Sequence, residues 1–296
     1  MTTRWYRSLF PLVLGGLMGC SPGVATPAPP ITHVLVGAGD IARCGALEDE
    51  ATALLLSETP GMIFTVGDNV YPSGTAEEFE RCYGPSWGWH KSRTRPTPGN
   101  HDYASHRAIP YFDYFGSAAG ESLKGHYSYD MGAWHIVALN SICGREEGRC
   151  EVGTEQEGWL RADLAADDHR CTLAYWHHPL FSSGWHGGDR RVGTFWDLLY
   201  EEGAEVVLSG NDHDYERFAP QDPAGTLDEA RGIRQFVVGT GGAALREFRE
   251  PRPNSEVRNA DSHGVLKVTL LEDGYEWEFL PIAGDSFTDS GSGSCH

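Results

Sequence analysis

Met62-Ile-Phe-Thr-Val66-Gly67-Asp68-Asn69-Val70-Tyr71 is the stretch on which the rest of the chain turns. The run Met62 to Val66 is apolar enough to be a buried strand, and it ends in a glycine, an aspartate and, three residues on, a tyrosine. A carboxylate at the mouth of a buried strand needs a partner for its charge. A pair of metal ions sharing that carboxylate would be such a partner. Working outward, four more predicted strands end in comparable groups. His33 to Gly39 leads into Asp40, and Thr94 to Pro98 into Gly99-Asn100-His101-Asp102. Cys171 to Trp176 leads into His177-His178-Pro179, and Glu205 to Leu208 into Ser209-Gly210-Asn211-Asp212-His213.

Helical spacing covers Glu48 to Thr59, stopped by Pro60-Gly61, then Ala76 to Cys82 and Arg191 to Glu202. Thr154 with Glu157 three residues on predicts a capped helix running to about Asp167. Hairpins are predicted over 127–140, turning at Met131-Gly132, and over 263–281, turning at Glu272-Asp273-Gly274, with a further strand at Ile233 to Val238. The aromatic stretch His106 to Phe115 reads as a short helix walling the site. Strands alternate with helices early and give way to hairpins later. The fold class expected is α/β (α+β), a four-layer αββα sandwich with two mixed central sheets. Its polar residues cluster after the carboxyl ends of strands, where open sheets hold ligands.

The chain has 296 residues, 40% hydrophobic and 11% aromatic, with a formal net charge of −19. That balance suits a globular chain and argues against a nucleic-acid or anionic-membrane surface as partner. Residues 1–19 read as a signal peptide, with Arg4 and Arg7 ahead of the apolar stretch Leu9 to Met18, too short to span a bilayer. Leu17-Met18-Gly19-Cys20 resembles a bacterial lipoprotein cleavage box, which would make Cys20 a lipidated first residue; ordinary cleavage nearby is the alternative. Residues 20–31 form a Pro-rich tether and 32–296 a single domain. The expected location is the cell envelope, as a lipoprotein touching the membrane only through Cys20, or outside the cell. Cys44, Cys82, Cys143, Cys150, Cys171 and Cys295 make an even set in an exported chain, which reads as disulfides with fifteen possible connectivities. Spacing suggests Cys143 with Cys150 and Cys44 with Cys82, leaving Cys171 with Cys295. With no CxxC pair, the rival zinc-thiolate reading is discounted.

Each strand-end motif alone has a bland reading. Gly-Asp is commonly a turn or cap, His-His-Pro a loop, and Gly-Asn-His-Asp a left-handed turn. All five in order, each at a predicted strand end, point instead to one constellation. Carboxylate, imidazole, amide and phenol donors suit borderline-to-hard transition ions.

In this arrangement the chain resembles the calcineurin-like metallophosphoesterases, and within them the purple acid phosphatases. That subgroup's pattern is GD, GDxxY, GNH[DE], HxP and GHxH. Here it stands as Gly39-Asp40, Gly67-Asp68-Asn-Val-Tyr71, Gly99-Asn100-His101-Asp102, His177-His178-Pro179 and Gly210-Asn211-Asp212-His213, continuing through Tyr215-Glu216-Arg217. No counterpart of the plant enzymes' fibronectin-like domain is expected ahead of the first motif. The resemblance implies two metal ions: Fe(III) held by Asp40, Tyr71 and His213, and Zn, Fe or Mn held by Asn100 and His177, with Asp68 bridging. His101 would face the substrate, and His186 would stand near the leaving group. The implied reaction is hydrolysis of a small phosphate monoester by in-line attack of a metal-bound hydroxide. Asn211 departs from the pattern, which has histidine there: either Asn211 coordinates, or water or Asp212 takes its place. The rivals are a phosphodiesterase or nucleotide hydrolase of the same fold, and a catalytically weak binding protein.

Overall fold

A computed structural model of the chain describes residues 1–5, 32–143 and 150–296, and Ile31–His296 form one compact unit. The leader's apolar stretch, Cys20, the tether and the loop 144–149 lie outside the described residues. The first strands are β1 (His33–Ala38), β2 (Ala42–Arg43), β3 (Met62–Val66), β4 (Val70–Tyr71) and β5 (Thr94–Thr97). Helix α1 (Glu48–Glu58) joins β2 to β3, and short helices α2 (Ala76–Glu78), α3 (Asn100–Tyr103) and α4 (Ile109–Phe115) surround β5. The hairpin β6 (Tyr127–Met131) and β7 (Trp134–Ala138) follows, then α5 (Glu155–Ala166), β8 (Cys171–Tyr175), α6 (Gly193–Glu201) and β9 (Val206–Ser209). The chain closes with β10 (Tyr215–Phe218), β11 (Arg234–Val238), β12 (Ser255–Asn259), β13 (Gly264–Leu270), β14 (Gly274–Pro281) and β15 (Ser290–Ser294).

Two mixed sheets result, one ordered β15-β14-β13-β1-β3-β5 and the other β12-β10-β11-β9-β8-β7-β6. In the first, β1, β3 and β5 run parallel; in the second, β7, β8, β9 and β11 do. Strand alternation explains the layers. Ile136, Ala138, Leu173, Tyr175, Val206 and Leu208 join the core that includes the first sheet. Their neighbours Val137, Ala174, Trp176 and Val207 turn the other way, onto Leu160 and Leu164 of α5 and Phe195, Trp196 and Leu199 of α6. Both faces of the parallel strands are therefore covered, as their unbroken apolar runs require.

Thr154 caps α5 by accepting a hydrogen bond from the Glu157 N–H at 3.3 Å. The three disulfides are Cys44–Cys82, Cys143–Cys150 and Cys171–Cys295, with Cα separations of 4.8, 5.4 and 5.6 Å.

The structure departs from the sequence reading at the stretch 106–115 and at β15 among other places. The aromatic stretch 106–115 is not a wall of the site: Tyr111, Phe112 and Phe115 are buried in the core with Phe79 and Tyr83, and the Tyr111 hydroxyl donates to the Pro96 carbonyl at 3.0 Å. Its aromatic density reflects packing over β5. The second is β15, whose Ser-Gly-Ser-Gly-Ser sequence has no strand signature. Gly291 and Gly293 lie flat against the rings of Trp277 and Tyr275, where a Cβ would collide, so the missing side chains let this strand pair with β14.

Candidate metal centre

Parallel pairing of β1, β3 and β5 sets the three loops that follow them side by side. The Asp40 N–H donates to the Gly67 carbonyl at 3.1 Å and the Ile41 N–H to the Asp68 carbonyl at 3.0 Å. From the second sheet, the loops after β8 and β9 are joined by the Gly210 N–H to the His177 carbonyl at 2.9 Å. The two sheets meet where Gly39 N–H donates to the Val238 carbonyl at 2.8 Å. Five strand ends from two sheets thus converge on one place. The close approach demands glycine: a Cβ on Gly99 would strike the Asp68 carboxylate, and one on Gly67 (φ 81°) the His177 ring.

Asp40 and Asp68 are buried, and no lysine or arginine pairs with either among the described residues. The Tyr71 hydroxyl lies 2.7 Å from Asp40 Oδ1, 3.0 Å from Asp68 Oδ2 and 3.1 Å from His213 Nε2. His213 Nε2 is 3.3 Å from Asp40 Oδ1. On the other side of Asp68, the same Oδ2 is 3.4 Å from His177 Nε2, which is 3.2 Å from Asn100 Oδ1. Asp68 therefore stands between two groups of donors, Asp40–Tyr71–His213 and Asn100–His177.

The imidazoles are held in a ligating orientation. His177 Nδ1 donates to the Val66 carbonyl at 2.7 Å and His213 Nδ1 to the Ala244 carbonyl at 2.8 Å, which turns each Nε2 inward, where it would present its lone pair to a cation on losing its proton. His178 turns away, with Nδ1 3.0 Å from the Ser141 hydroxyl. His101 Nδ1 donates to the Pro72 carbonyl at 2.6 Å, its ring 4.4 Å from that of Tyr71 and about a third exposed, at the open side of the cluster. His186 is exposed beside His213, ring centroids 6.3 Å apart, and its Nε2 accepts from the Arg246 guanidinium at 2.8 Å.

Electrostatics mark the place as built for cations. Burial alone would raise the Asp68 carboxyl, but the charge and hydrogen bond of His177, with His101, hold it below the usual carboxylate range. Burial would lower His177, yet Asp68 outweighs it and carries the imidazole to about 9. Burial and the charges of Asp40 and Asp68 push the Tyr71 phenol well above 10. One phenolic proton cannot satisfy two carboxylates and an imidazole nitrogen together. A cation between them would replace it and let the phenolate form. The donor set thus fits metal ions.

Asn211 takes φ 68°, and its N–H donates to Asp40 Oδ2 at 2.9 Å. Asp40 and Asp68 share the left-handed backbone, with φ 57° and 48°. Asp212 is not available as a substitute ligand. Its buried carboxylate accepts from the Ser182 hydroxyl, the His186 N–H at 2.6 Å and the Gly187 N–H at 3.1 Å, so it anchors the loop that carries His186.

The supports of this centre carry no signal of their own in the sequence. Asp102 Oδ2 accepts from Gly99 N at 2.8 Å, Asn69 N at 3.2 Å and Asn69 Nδ2 at 3.0 Å, tying the loop after β3 to the loop after β5. Both residues stand inside the motifs, so their place in the pattern was visible and their job was not. Arg246 had no signal at all; only the fold brings residue 246 beside 186.

A family model described as calcineurin-like phosphoesterase matches residues 31–215. Purple acid phosphatase 21 of Arabidopsis thaliana is 29% identical over 198 residues, covering 61% of this chain and 42% of that protein. Purple acid phosphatase 15 of the same plant is 26% identical over 280 residues, covering 77% and 48%. The chain thus spans about half the length of the curated relatives it matches. A purple acid phosphatase from yellow lupin (Lupinus luteus) seeds superposes with a TM-score of 0.72 at 18% identity, over 90% of this chain and 54% of that one.

Proposed function

The chain belongs to the calcineurin-like phosphoesterase family, and from that premise we propose that it is an exported hydrolase cleaving small phosphate monoesters at a pair of metal ions. The observation that carries the reading is the position of Asp68, whose Oδ2 lies 3.0 Å from the Tyr71 hydroxyl and 3.4 Å from His177 Nε2. Asp40, Tyr71 and His213 would hold one ion, Fe(III) by the hard phenolate and carboxylate donors; Asn100 and His177 would hold a divalent one. When bound, such a pair would supply Lewis acidity to phosphoryl oxygens and lower the pKa of a bound water.

The protein's own groups do the rest. His101 is fixed by the Pro72 carbonyl and, as an imidazolium, would donate from Nε2 to an ester oxygen. Arg246, exposed at the rim, brings a guanidinium suited to phosphate. While Arg246 donates to His186 Nε2 the imidazole is neutral and offers a leaving oxygen only an Nδ1 hydrogen bond; delivering a proton needs the imidazolium, which gives up the Arg246 bond. Burial lowers the His186 imidazole, so that delivery belongs to acid conditions.

Asn211 favours a second reading, a protein whose divalent site is weak and whose catalysis is slow. Metal analysis joined to a screen of mono- and diesters separates the two. Two metals per chain at this centre and turnover of monoesters above diesters are expected; one metal there and no turnover of either would leave the binding protein. Tyr71→Phe should lose a visible charge-transfer band while keeping its iron, and a colourless wild type full of iron would remove Tyr71 from the ligand set. Three disulfides support an oxidising compartment. Release of Cys20→Ser from the membrane fraction tests the lipid anchor.

A further inference from the structure

A second cluster of metal-binding side chains lies at the opposite end of the second sheet. His135 is near the start of β7 and pairs in register with Thr172, five residues before His177. Along a strand that separation is about 16 Å. His135 Nδ1 is 2.9 Å from Asp130 Oδ1 and 3.7 Å from Asp167 Oδ1. His169 Nδ1 is 2.5 Å from Asp167 Oδ1 and 3.8 Å from Asp130 Oδ1. The two imidazoles stack with centroids 6.0 Å apart, and all four donor atoms fall within 4.8 Å of one another. Tetrahedral zinc with bonds of about 2.0–2.1 Å needs donors about 3.3 Å apart. The four measured edges scatter around that value, so small rotations would close the tetrahedron.

Two further observations point to a cation. Asp163, Asp167 and Asp168 crowd the carboxyl end of α5, whose last turn has no basic residue, although that end already carries the negative pole of the helix. The layer behind the cluster is also complete. His135 Nε2 faces Asp163 Oδ2 at 2.9 Å, and Asp163 Oδ1 accepts from the Ser128 hydroxyl at 2.8 Å. A ligating histidine commonly has its second nitrogen on a carboxylate that is itself held.

We propose that Asp130, His135, Asp167 and His169 bind one structural zinc ion, clamping the carboxyl end of α5 to the edge hairpin β6–β7. Two carboxylates and two neutral imidazoles neutralise a divalent ion, and imidazole with carboxylate suits zinc. Binding replaces the proton on His135 Nδ1, which is released to solvent. The rival is an imidazolium at His135 satisfying the carboxylates alone. Burial would lower this imidazole, but Asp163, Asp130 and Asp167 outweigh it and raise it to about 9, so the proton is a serious competitor.

The test is zinc content after equilibrium dialysis of the full chain, compared with His169→Ala and Asp167→Asn, both partly exposed positions. Each variant should hold one zinc fewer per chain than wild type. Hydrogen exchange in β6 should slow on adding zinc to wild type and stay unchanged in the variants. Equal zinc in all three proteins, or a difference below half an equivalent, overturns the proposal. A failure of the binuclear reading would lower the count in every protein and leave the difference of one intact, so the two ideas fail separately.

Discussion

Replacing Asp102 should show how much of the metal centre's geometry rests on one side chain that touches no ion. Asp102 Oδ2 accepts three N–H groups, from Gly99 at 2.8 Å and from the main chain and side chain of Asn69 at 3.2 and 3.0 Å. Alanine would remove the acceptor of all three. Asn69 Nδ2 keeps the Thr97 carbonyl at 3.0 Å, so two buried main-chain donors bear the loss. At about 1–3 kcal/mol for each orphaned buried group, Asp102→Ala should cost roughly 2–6 kcal/mol. Asparagine behaves differently. Its oxygen can take the same three donors, and its amide nitrogen occupies the place of Oδ1, which has no hydrogen-bond partner among the described residues. Asp102→Asn should therefore stay within about 1 kcal/mol of wild type. Urea unfolding followed by tryptophan fluorescence measures both, on chelator-treated protein so that metal binding does not contribute. Elemental analysis of untreated protein should then find metal lost from the alanine variant and retained in the asparagine one. If the two variants unfold at the same urea concentration, the clamp is not what holds these loops.

Asn211→His should restore the family's donor and tighten the divalent site, read as slower loss of metal to a mild chelator with colour unchanged; no change in metal retention or activity means residue 211 does not face the ion. Burial raises Glu205 from 4.5 to about 7 while its Oε2 accepts from the Thr172 N–H at 2.6 Å. The folded value lies above the unfolded one, so its stabilising share is full below pH 4.5 and lost as pH rises through 7. Glu205→Gln should then exceed wild type by about 3 kcal/mol at pH 8 and match it at pH 4, and parallel stability curves would rule this out. Cys171 and Cys295 are separated by 124 residues and Cys143 and Cys150 by 7, so replacing the first pair with serine should cost about 5 kcal/mol and the second about 2, measured by denaturant unfolding.

The central strands were legible because both their faces are buried, which writes them as unbroken apolar runs such as Met62 to Val66. What the sequence hid was structure held by contacts rather than by pattern. Strand β10 carries Glu216, buried beneath the Ser183 hydroxyl and N–H at 2.6 and 2.7 Å, and strand β12 alternates between half-buried and exposed residues. Neither shows apolar alternation. The candidate metal ligands stood out because they cluster at strand ends, whereas Asp212 next to them looked equivalent and is turned onto the loop of His186. The Asp130–His135–Asp167–His169 cluster joins a hairpin to a helix end and has no linear motif to betray it.

Asp40, Asp68 and Asn211 each combine a candidate metal donor with a left-handed backbone, at φ 57°, 48° and 68°. A left-handed backbone costs an ordinary L-residue about 1–2 kcal/mol, and less for aspartate and asparagine, whose short polar side chains bond locally. Alanine at any of the three would make two changes at once, deleting a donor and installing a residue less willing to hold the turn. An alanine scan of this site would assign the whole loss to coordination. Glycine is the needed control, because it deletes the donor and relaxes the turn. The gap between Asp68→Gly and Asp68→Ala measures the backbone's share, and the loss common to both measures the carboxylate's. The same constraint narrows what drift can explore here: the turn admits Asp, Asn and Gly most readily, and the chemistry must choose among those.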